Sequence, residues 1–126
     1  MLPTPPEFIL PDYDGGTIAN VPATIANWLE VPFDGLPPLR PELAGRFAPV
    51  KHVVRIIIDG LGWNLISALQ KMQPEFFSQA THIGKITSIF PSTTTAALSS
   101  LWTGLAAAQH GLVGMRILFP EIGTLG

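Results

Sequence analysis

The sequence predicts an α/β domain of the doubly wound type, on the evidence of three observations. The run "HVVRIIIDG" at 52–60 is apolar and largely β-branched, the composition of a parallel strand buried on both faces, and "HIGKITSIF" at 82–90 predicts a second strand. Each run is followed by a segment whose apolar residues have helical spacing, "WNLISALQKM" at 63–72 and "TTTAALSSLWTG" at 93–104. The order strand, helix, strand, helix is typical of parallel sheets with helical crossovers.

Residues 1–50 precede these elements and hold most of the 13 prolines. Because proline fixes φ and lacks an N–H donor, we expect most of this segment to be extended or turned. The exception is "NVPATIANWLE" at 20–30, with Asn20 as a candidate cap and Pro22 in the first turn. The predicted organisation is therefore a Pro-rich N-terminal extension with one short helix, 1–50, followed by a βαβα unit, 51–126.

The end of the βαβα unit is abrupt. "MRILF" at 115–119 suits another strand, and "PEIGTLG" has the residues of a turn. Two or three strands rarely make a stable α/β sheet. We therefore expect the chain to be the N-terminal part of a larger enzyme domain, and reading the gene beyond position 126 would test this.

The composition argues against several classes of protein. The formal net charge is −2 and the basic residues are scattered, so no nucleic-acid polymer is expected as a partner. Cysteine is absent, which leaves oxygen and imidazole ligands for any metal. We see neither a signal peptide nor an apolar run long enough to span a membrane, and therefore expect a cytoplasmic protein with no membrane partner.

Two groups of polar side chains follow the predicted strands. Asp59 ends the first strand, and the hydroxyl cluster at 92–95 follows the second strand where a helix begins. Ligands of open α/β sheets bind at this edge, and a helix N-terminus attracts phosphate through its free N–H groups. An aspartate facing a threonine across such a crevice could share a divalent cation, which would activate the hydroxyl.

Each of these residues also has a common structural role. Asp59 before Gly60 suits a simple turn, and Ser92 or a neighbouring threonine suits a helix cap. A second interpretation of the chain follows from these roles: a non-catalytic α/β module that binds a phosphate or a partner chain and uses the threonines only as a cap.

The segments "VVRIIIDGLGWNLI" and "FPSTTTAALSSLWTGLAAAQHGLVG" resemble, in this order, the two opening motifs of the type I phosphodiesterase and nucleotide pyrophosphatase family. The upstream "GGTIANVPATIANWL" is similar to bacterial members. This family is part of the alkaline phosphatase superfamily, so the resemblance implies an alkaline-phosphatase-like doubly wound sheet with flanking helices. Residues 51–126 would be the first, incomplete part of that catalytic domain.

The resemblance implies a metal-dependent hydrolase of phosphodiester or phosphomonoester bonds, with a small phosphate ester as substrate. Thr94 matches the family's nucleophile and Asp59 a metal ligand, with Thr94 also on the metal. Two divalent ions are implied, zinc or alternatively manganese. This chain does not complete the second metal site, so we expect the 126 residues alone to be inactive.

Two departures from the family pattern stand out. Family members complete their zinc sites with later aspartates and histidines, whereas His52, at the other end of the predicted strand, would lie roughly 23 Å from Asp59 at ~3.3 Å per residue. His82 starts its own strand on the same far edge, and His110 beside Gly111 suits a helix end. None of the three histidines is therefore expected to be a ligand partner of Asp59.

The second departure concerns substrate contacts. Met115 stands where nucleotide pyrophosphatases have a phosphate-binding asparagine, and methionine cannot donate a hydrogen bond. The neighbouring Arg116 is the candidate substrate-binding residue in its place. A third interpretation keeps the superfamily but changes the chemistry to phosphomutase or sulfatase-like transfer; the lack of cysteine and the match at Thr94 argue against a sulfatase.

Overall fold

The computed structural model describes residues 8–47, 49–119 and 123–125. These residues form a 3₁₀ turn at Ile18–Asn20 and the helices α1 Val21–Trp28, α2 Pro41–Ala44, α3 Trp63–Met72, α4 Pro74–Ser78, α5 Thr94–Thr103 and α6 Ala107–His110. Two short strands, β1 Leu118–Phe119 and β2 Thr124–Leu125, pair antiparallel. No helix in these ranges combines the length and the apolar character needed to cross a membrane. The turns predicted at 1–7 and at 120–122 lie outside the described residues.

Both predicted crossover helices are confirmed. Helix α3 has the predicted bounds, and it follows Gly62, whose backbone is extended. Helix α5 ends as predicted at Gly104, whose left-handed φ of 68° favours glycine and whose N–H donates to the carbonyl of Ser100. The local signals of spacing and C-terminal glycine were therefore sufficient for these two elements.

The two predicted parallel strands are wrong for the residues that the structure describes. Residues 52–58 have no regular secondary structure, and 82–90 contribute one isolated parallel bridge, between Thr87 and Thr17. An extended segment becomes a strand only when a neighbour receives its backbone hydrogen bonds, and the described part of the chain gives 52–58 no such neighbour. Three apolar side chains of this segment are largely exposed, with Val54 86%, Ile56 80% and Ile58 64% exposed, whereas Val53 and Arg55 are half-buried.

The N-terminal helix is confirmed as α1, but the predicted cap is wrong. The Asn20 side chain makes no capping hydrogen bond to α1 and is completely buried instead. Its Oδ1 accepts the backbone N–H of Thr17 at 2.8 Å, and its Nδ2 donates to the carbonyls of Tyr13 and Pro37 at 2.9 and 2.8 Å. Asn20 therefore ties together three parts of the N-terminal segment.

Arg40 joins the later part of the N-terminal segment to residues 12–15. Its backbone N–H donates to the carbonyl of Gly15 at 3.0 Å, and its Nη1 lies 2.5 Å from Oδ2 of Asp12. The hydrogen bond to Asp12 raises the pKa of Arg40 above its ordinary value.

The core lies between the 3₁₀ turn and α5. Ala19, Ile89, Ala96 and Ala107 are its buried members, and they come from both halves of the chain. The N-terminal segment therefore packs against the helix that begins at Thr94. The division into an extension at 1–50 and a catalytic unit at 51–126 stays a prediction, although the two parts share this core.

Candidate functional site

Two threonines at the start of α5 have different structural positions. Thr93 is the N-cap: its backbone is extended, with φ −74° and ψ 152°, and its Oγ1 accepts the N–H of Ala96 at 3.3 Å. Thr94 is the first residue of the helix and is exposed. Because Thr93 makes the capping bond, the hydroxyl of Thr94 is left out of the cap.

Asp59 lies in a turn that it stabilises itself. Its Oδ1 accepts the N–H of Gly60 at 2.9 Å, and Gly60 has a positive φ of 72°. This short-range bond is the turn role that aspartate before glycine commonly has. It uses one of the two carboxylate oxygens, and the residue is exposed.

Asp59 and Thr94 line the same cavity, which has a volume of about 420 Å³. The cavity lies between the end of the 52–58 segment, the stretch before α5 and the face of α5 from Thr94 to Leu101. Ser88 and Ser92 add two further hydroxyl groups to its wall, and Ile18 reaches it from the N-terminal segment. The two residues that the sequence singled out thus line one cavity.

A larger cavity of about 920 Å³ borders the first one. Ile18, Ile58 and Ser88 line both. The remaining wall is mostly apolar and comes from residues between 60 and 66, between 76 and 80 and between 83 and 87, with aromatic side chains at Trp63 and Phe77 among them. An apolar space therefore adjoins the polar end that carries Asp59 and Thr94.

Arg116 lies elsewhere. It is exposed in the bend at 114–116 and is not one of the residues that line the cavity of Asp59 and Thr94. Its predicted role in substrate binding stays a prediction.

Two of the three histidines have contacts or positions away from Asp59. His82 Nε2 is hydrogen bonded to the carbonyl of Leu43 at 3.1 Å, and His110 is the last residue of α6 with Gly111 as C-cap, the helix-end position predicted for it. Over the ranges that the structure describes, no three His, Cys, Asp or Glu side chains are grouped to hold a metal ion. Asp59 and Thr94 provide oxygen donors, which suit zinc, manganese or magnesium.

Sequence reasoning missed Ile18 and Ser88 as members of the cavity wall. Ile18 lies within "GGTIANVPATIANWL", which resembles family members, but the sequence gives no sign of what this segment touches. Its position depends on the long-range bridge between Thr17 and Thr87, a contact that local patterns do not encode.

A family model described as type I phosphodiesterase / nucleotide pyrophosphatase matches residues 53–125. The match covers more than half of the chain and includes Asp59, Thr94 and Arg116. The chain therefore belongs to this family, and the resemblance seen in the two motifs is confirmed. No curated protein and no solved structure matches the chain. Membership points to hydrolysis of the phosphodiesterase or pyrophosphatase type.

Proposed function

We propose that this chain supplies the nucleophile and one metal ligand of a metal-dependent hydrolase that cleaves phosphodiester or phosphomonoester bonds. The observation that supports this most directly is the shared cavity of Asp59 and Thr94, two residues that come from separate segments. Family membership of residues 53–125 supports the same class of reaction.

In the proposed reaction the Oγ1 of Thr94 attacks phosphorus. A new bond forms between this oxygen and phosphorus, the ester bond to the leaving alcohol breaks, and the alcohol takes up a proton as it departs. Water then attacks the phosphorus of the threonyl intermediate and breaks its bond to Oγ1, which takes up a proton and restores the hydroxyl of Thr94. A diester substrate thus gives a phosphate monoester, and a monoester substrate gives inorganic phosphate.

The position of Thr94 at the start of α5 favours this chemistry. The first backbone N–H groups of a helix lack intrahelical partners, and the helix dipole adds positive potential at the same end. A phosphoryl group held at Thr94 would therefore be stabilised by the helix itself.

Asp59 is the proposed metal ligand, together with Thr94. When bound, two divalent cations, zinc or manganese, would supply Lewis-acid stabilisation of the attacking and the leaving oxygen. The carboxylate and the hydroxyl fit such ions by their chemistry, but the described residues offer no group of three ligands. The second metal site is thus not completed here. Arg116 remains the proposed phosphate contact, for which the bend at 114–116 would have to turn toward the cavity.

We further propose that residues 52–58 become a strand of an alkaline-phosphatase-like sheet in the complete enzyme. The exposed side chains of Val54, Ile56 and Ile58 support this, because a run of this composition is typical of strands covered on both faces.

The adjoining apolar cavity makes an aryl phosphodiester a suitable test substrate, because an aromatic ester group can be buried there. We expect the complete gene product to hydrolyse bis(4-nitrophenyl) phosphate with added zinc or manganese, and Thr94→Ala to abolish turnover. Thr93→Ala is the matched control: it removes the neighbouring hydroxyl and the cap but keeps the nucleophile. Equal activity of Thr94→Ala and the wild type would refute the proposal.

Two further measurements separate the parts of the proposal. Asp59→Asn should raise the metal concentration needed for half-maximal activity, because it removes a charged ligand. The 126-residue chain by itself should show little turnover, since its described residues do not complete a metal site.

The alternative is a non-catalytic phosphate- or partner-binding module. The turn bond between Asp59 and Gly60 favours it, because that bond gives the carboxylate a structural role. Metal content measured by mass spectrometry distinguishes the two functions, since only the hydrolase requires bound divalent ions.

A further inference from the structure

His110 lies between α5 and the turn that follows α6. Its Nδ1 accepts the backbone N–H of Leu112 at 3.1 Å. Its Nε2 lies 3.1 Å from the Oγ of Ser100, a completely buried residue on α5. Gly111, between His110 and Leu112, has a left-handed φ of 78°, which turns the chain so that the Leu112 N–H faces the ring.

These two contacts determine which ring nitrogen carries the proton. A backbone N–H can only donate, so the Nδ1 of His110 must present its lone pair to Leu112. The proton of the neutral ring is therefore on Nε2, which donates to the Oγ of Ser100. In this tautomer the ring cannot accept the proton of Ser100, so the pair is not a nucleophile with its general base.

We infer that the neutral His110 ring makes two hydrogen bonds that depend on its tautomer, one to the buried Ser100 and one to the backbone N–H of Leu112. Protonation of the ring breaks only the bond to Leu112. We call this pair of bonds the clasp and each bond an arm of it. A proton added at Nδ1 turns the acceptor into a donor, which then faces the donating N–H of Leu112. The Nε2–H of the same ring still donates to Ser100. Acid therefore releases the turn at 111–112 while α6 stays attached to α5.

One charged side chain contacts α5 from another element. Arg55 donates from Nη1 to the carbonyl of Leu101, and its guanidinium lies 4.5 Å from the centroid of the Trp102 ring. The sequences of α5, of α6 before His110 and of residues 111–115 contain no aspartate, glutamate, lysine or arginine. Within the described ranges His110 takes part in no ion pair. The first charged residue beyond the clasp is Arg116.

The clasp also restrains the start of the segment that carries Arg116. This consequence rests on the proposed function, in which Arg116 contacts the phosphate, and it makes His110 a positioning residue. The clasp itself is independent of catalysis, and its test therefore uses no substrate.

The test is nuclear magnetic resonance of the 126-residue chain across about pH 8 to pH 5. Nitrogen shifts of the ring are expected to show an unprotonated Nδ1 and a protonated Nε2 at the upper end. As His110 titrates, exchange protection of the Leu112 amide should fall by about fivefold, the loss of one net hydrogen bond. A proton on Nδ1 at high pH, or protection of Leu112 that does not follow the titration of His110, would overturn the inference.

Three variants test the two hydrogen bonds of His110 individually. His110→Asn keeps an acceptor close to the Nδ1 position but cannot be protonated, so protection of Leu112 should become independent of pH. His110→Gln keeps a donor toward Ser100 and should leave Leu112 unprotected at every pH. Ser100→Ala removes the α5 arm and should retain the pH response at Leu112. The same pH response in His110→Asn as in the wild type would contradict the clasp.

Discussion

Thr17 and Thr87 form a parallel β-bridge that joins the N-terminal segment to the stretch leading into α5. The N–H of Ile18 donates to the carbonyl of Thr87 at 3.0 Å. Ile18, held by this bridge, lines both the candidate cavity and the apolar cavity beside it. A segment that precedes the family match at 53–125 thus forms part of the wall of the candidate site.

The first prediction concerns Asn20, which holds this segment in shape. Asn20→Ala should lower the free energy of unfolding by about 2–4 kcal/mol, because truncation leaves the buried N–H of Thr17 and the partly buried carbonyls of Tyr13 and Pro37 without their partner. Urea denaturation followed by circular dichroism measures the change.

The matched control is Asn27→Ala on the same helix, α1. Asn27 is exposed, so this change should alter the free energy of unfolding by no more than about 0.5 kcal/mol. If both variants lost the same stability, the buried amide of Asn20 would have no special role in the fold.

The helices of this chain could be predicted from sequence because their signals are local. The spacing of apolar residues predicted α3, and Gly104 predicted the end of α5. Residues 52–58 could not be assigned in the same way, because β-branched composition favours a strand but does not supply a partner for its hydrogen bonds. The same limit applies to Asn20, where a capping residue at the right position makes long-range bonds instead.

The candidate site was predicted in part. Asp59 and the hydroxyl cluster at 92–95 were singled out by position, and Thr94 within that cluster by the family resemblance. Asp59 and Thr94 line one cavity, although the sheet behind the position argument is not formed by the described residues. Their catalytic roles stay predictions. The contact between Ser100 and His110 was beyond sequence reasoning, because it depends on the reversal of the chain after Gly104.

The second prediction separates the cap of α5 from the proposed nucleophile. Thr93→Ala should lower the free energy of unfolding by about 1 kcal/mol, because the N–H of Ala96 loses its partner. Thr94→Ala should change it by less than about 0.5 kcal/mol, since its hydroxyl makes no capping bond. Urea denaturation of the two variants measures both losses of unfolding free energy. A larger loss for Thr94→Ala than for Thr93→Ala would mean that Thr94 is the capping residue.

The third prediction tests whether residues 52–58 are open to solvent, by comparing the same substitution at two isoleucines. Ile56 is 80% exposed, whereas Ile89 is 2% exposed and belongs to the core. In the 126-residue chain Ile56→Ala should cost less than about 0.5 kcal/mol of unfolding free energy, and Ile89→Ala about 2–5 kcal/mol. Chemical denaturation of both variants provides the comparison.

The exposed segment should also bind an apolar dye such as 8-anilinonaphthalene-1-sulfonate, and Ile56→Lys should reduce that binding while leaving stability nearly unchanged. In the complete enzyme the proposed sheet would cover residue 56, so Ile56→Lys should there destabilise the fold strongly, because a buried ammonium has no partner. A cost for Ile56→Ala equal to that of Ile89→Ala in the 126-residue chain would instead mean that these residues are already covered on both faces in solution.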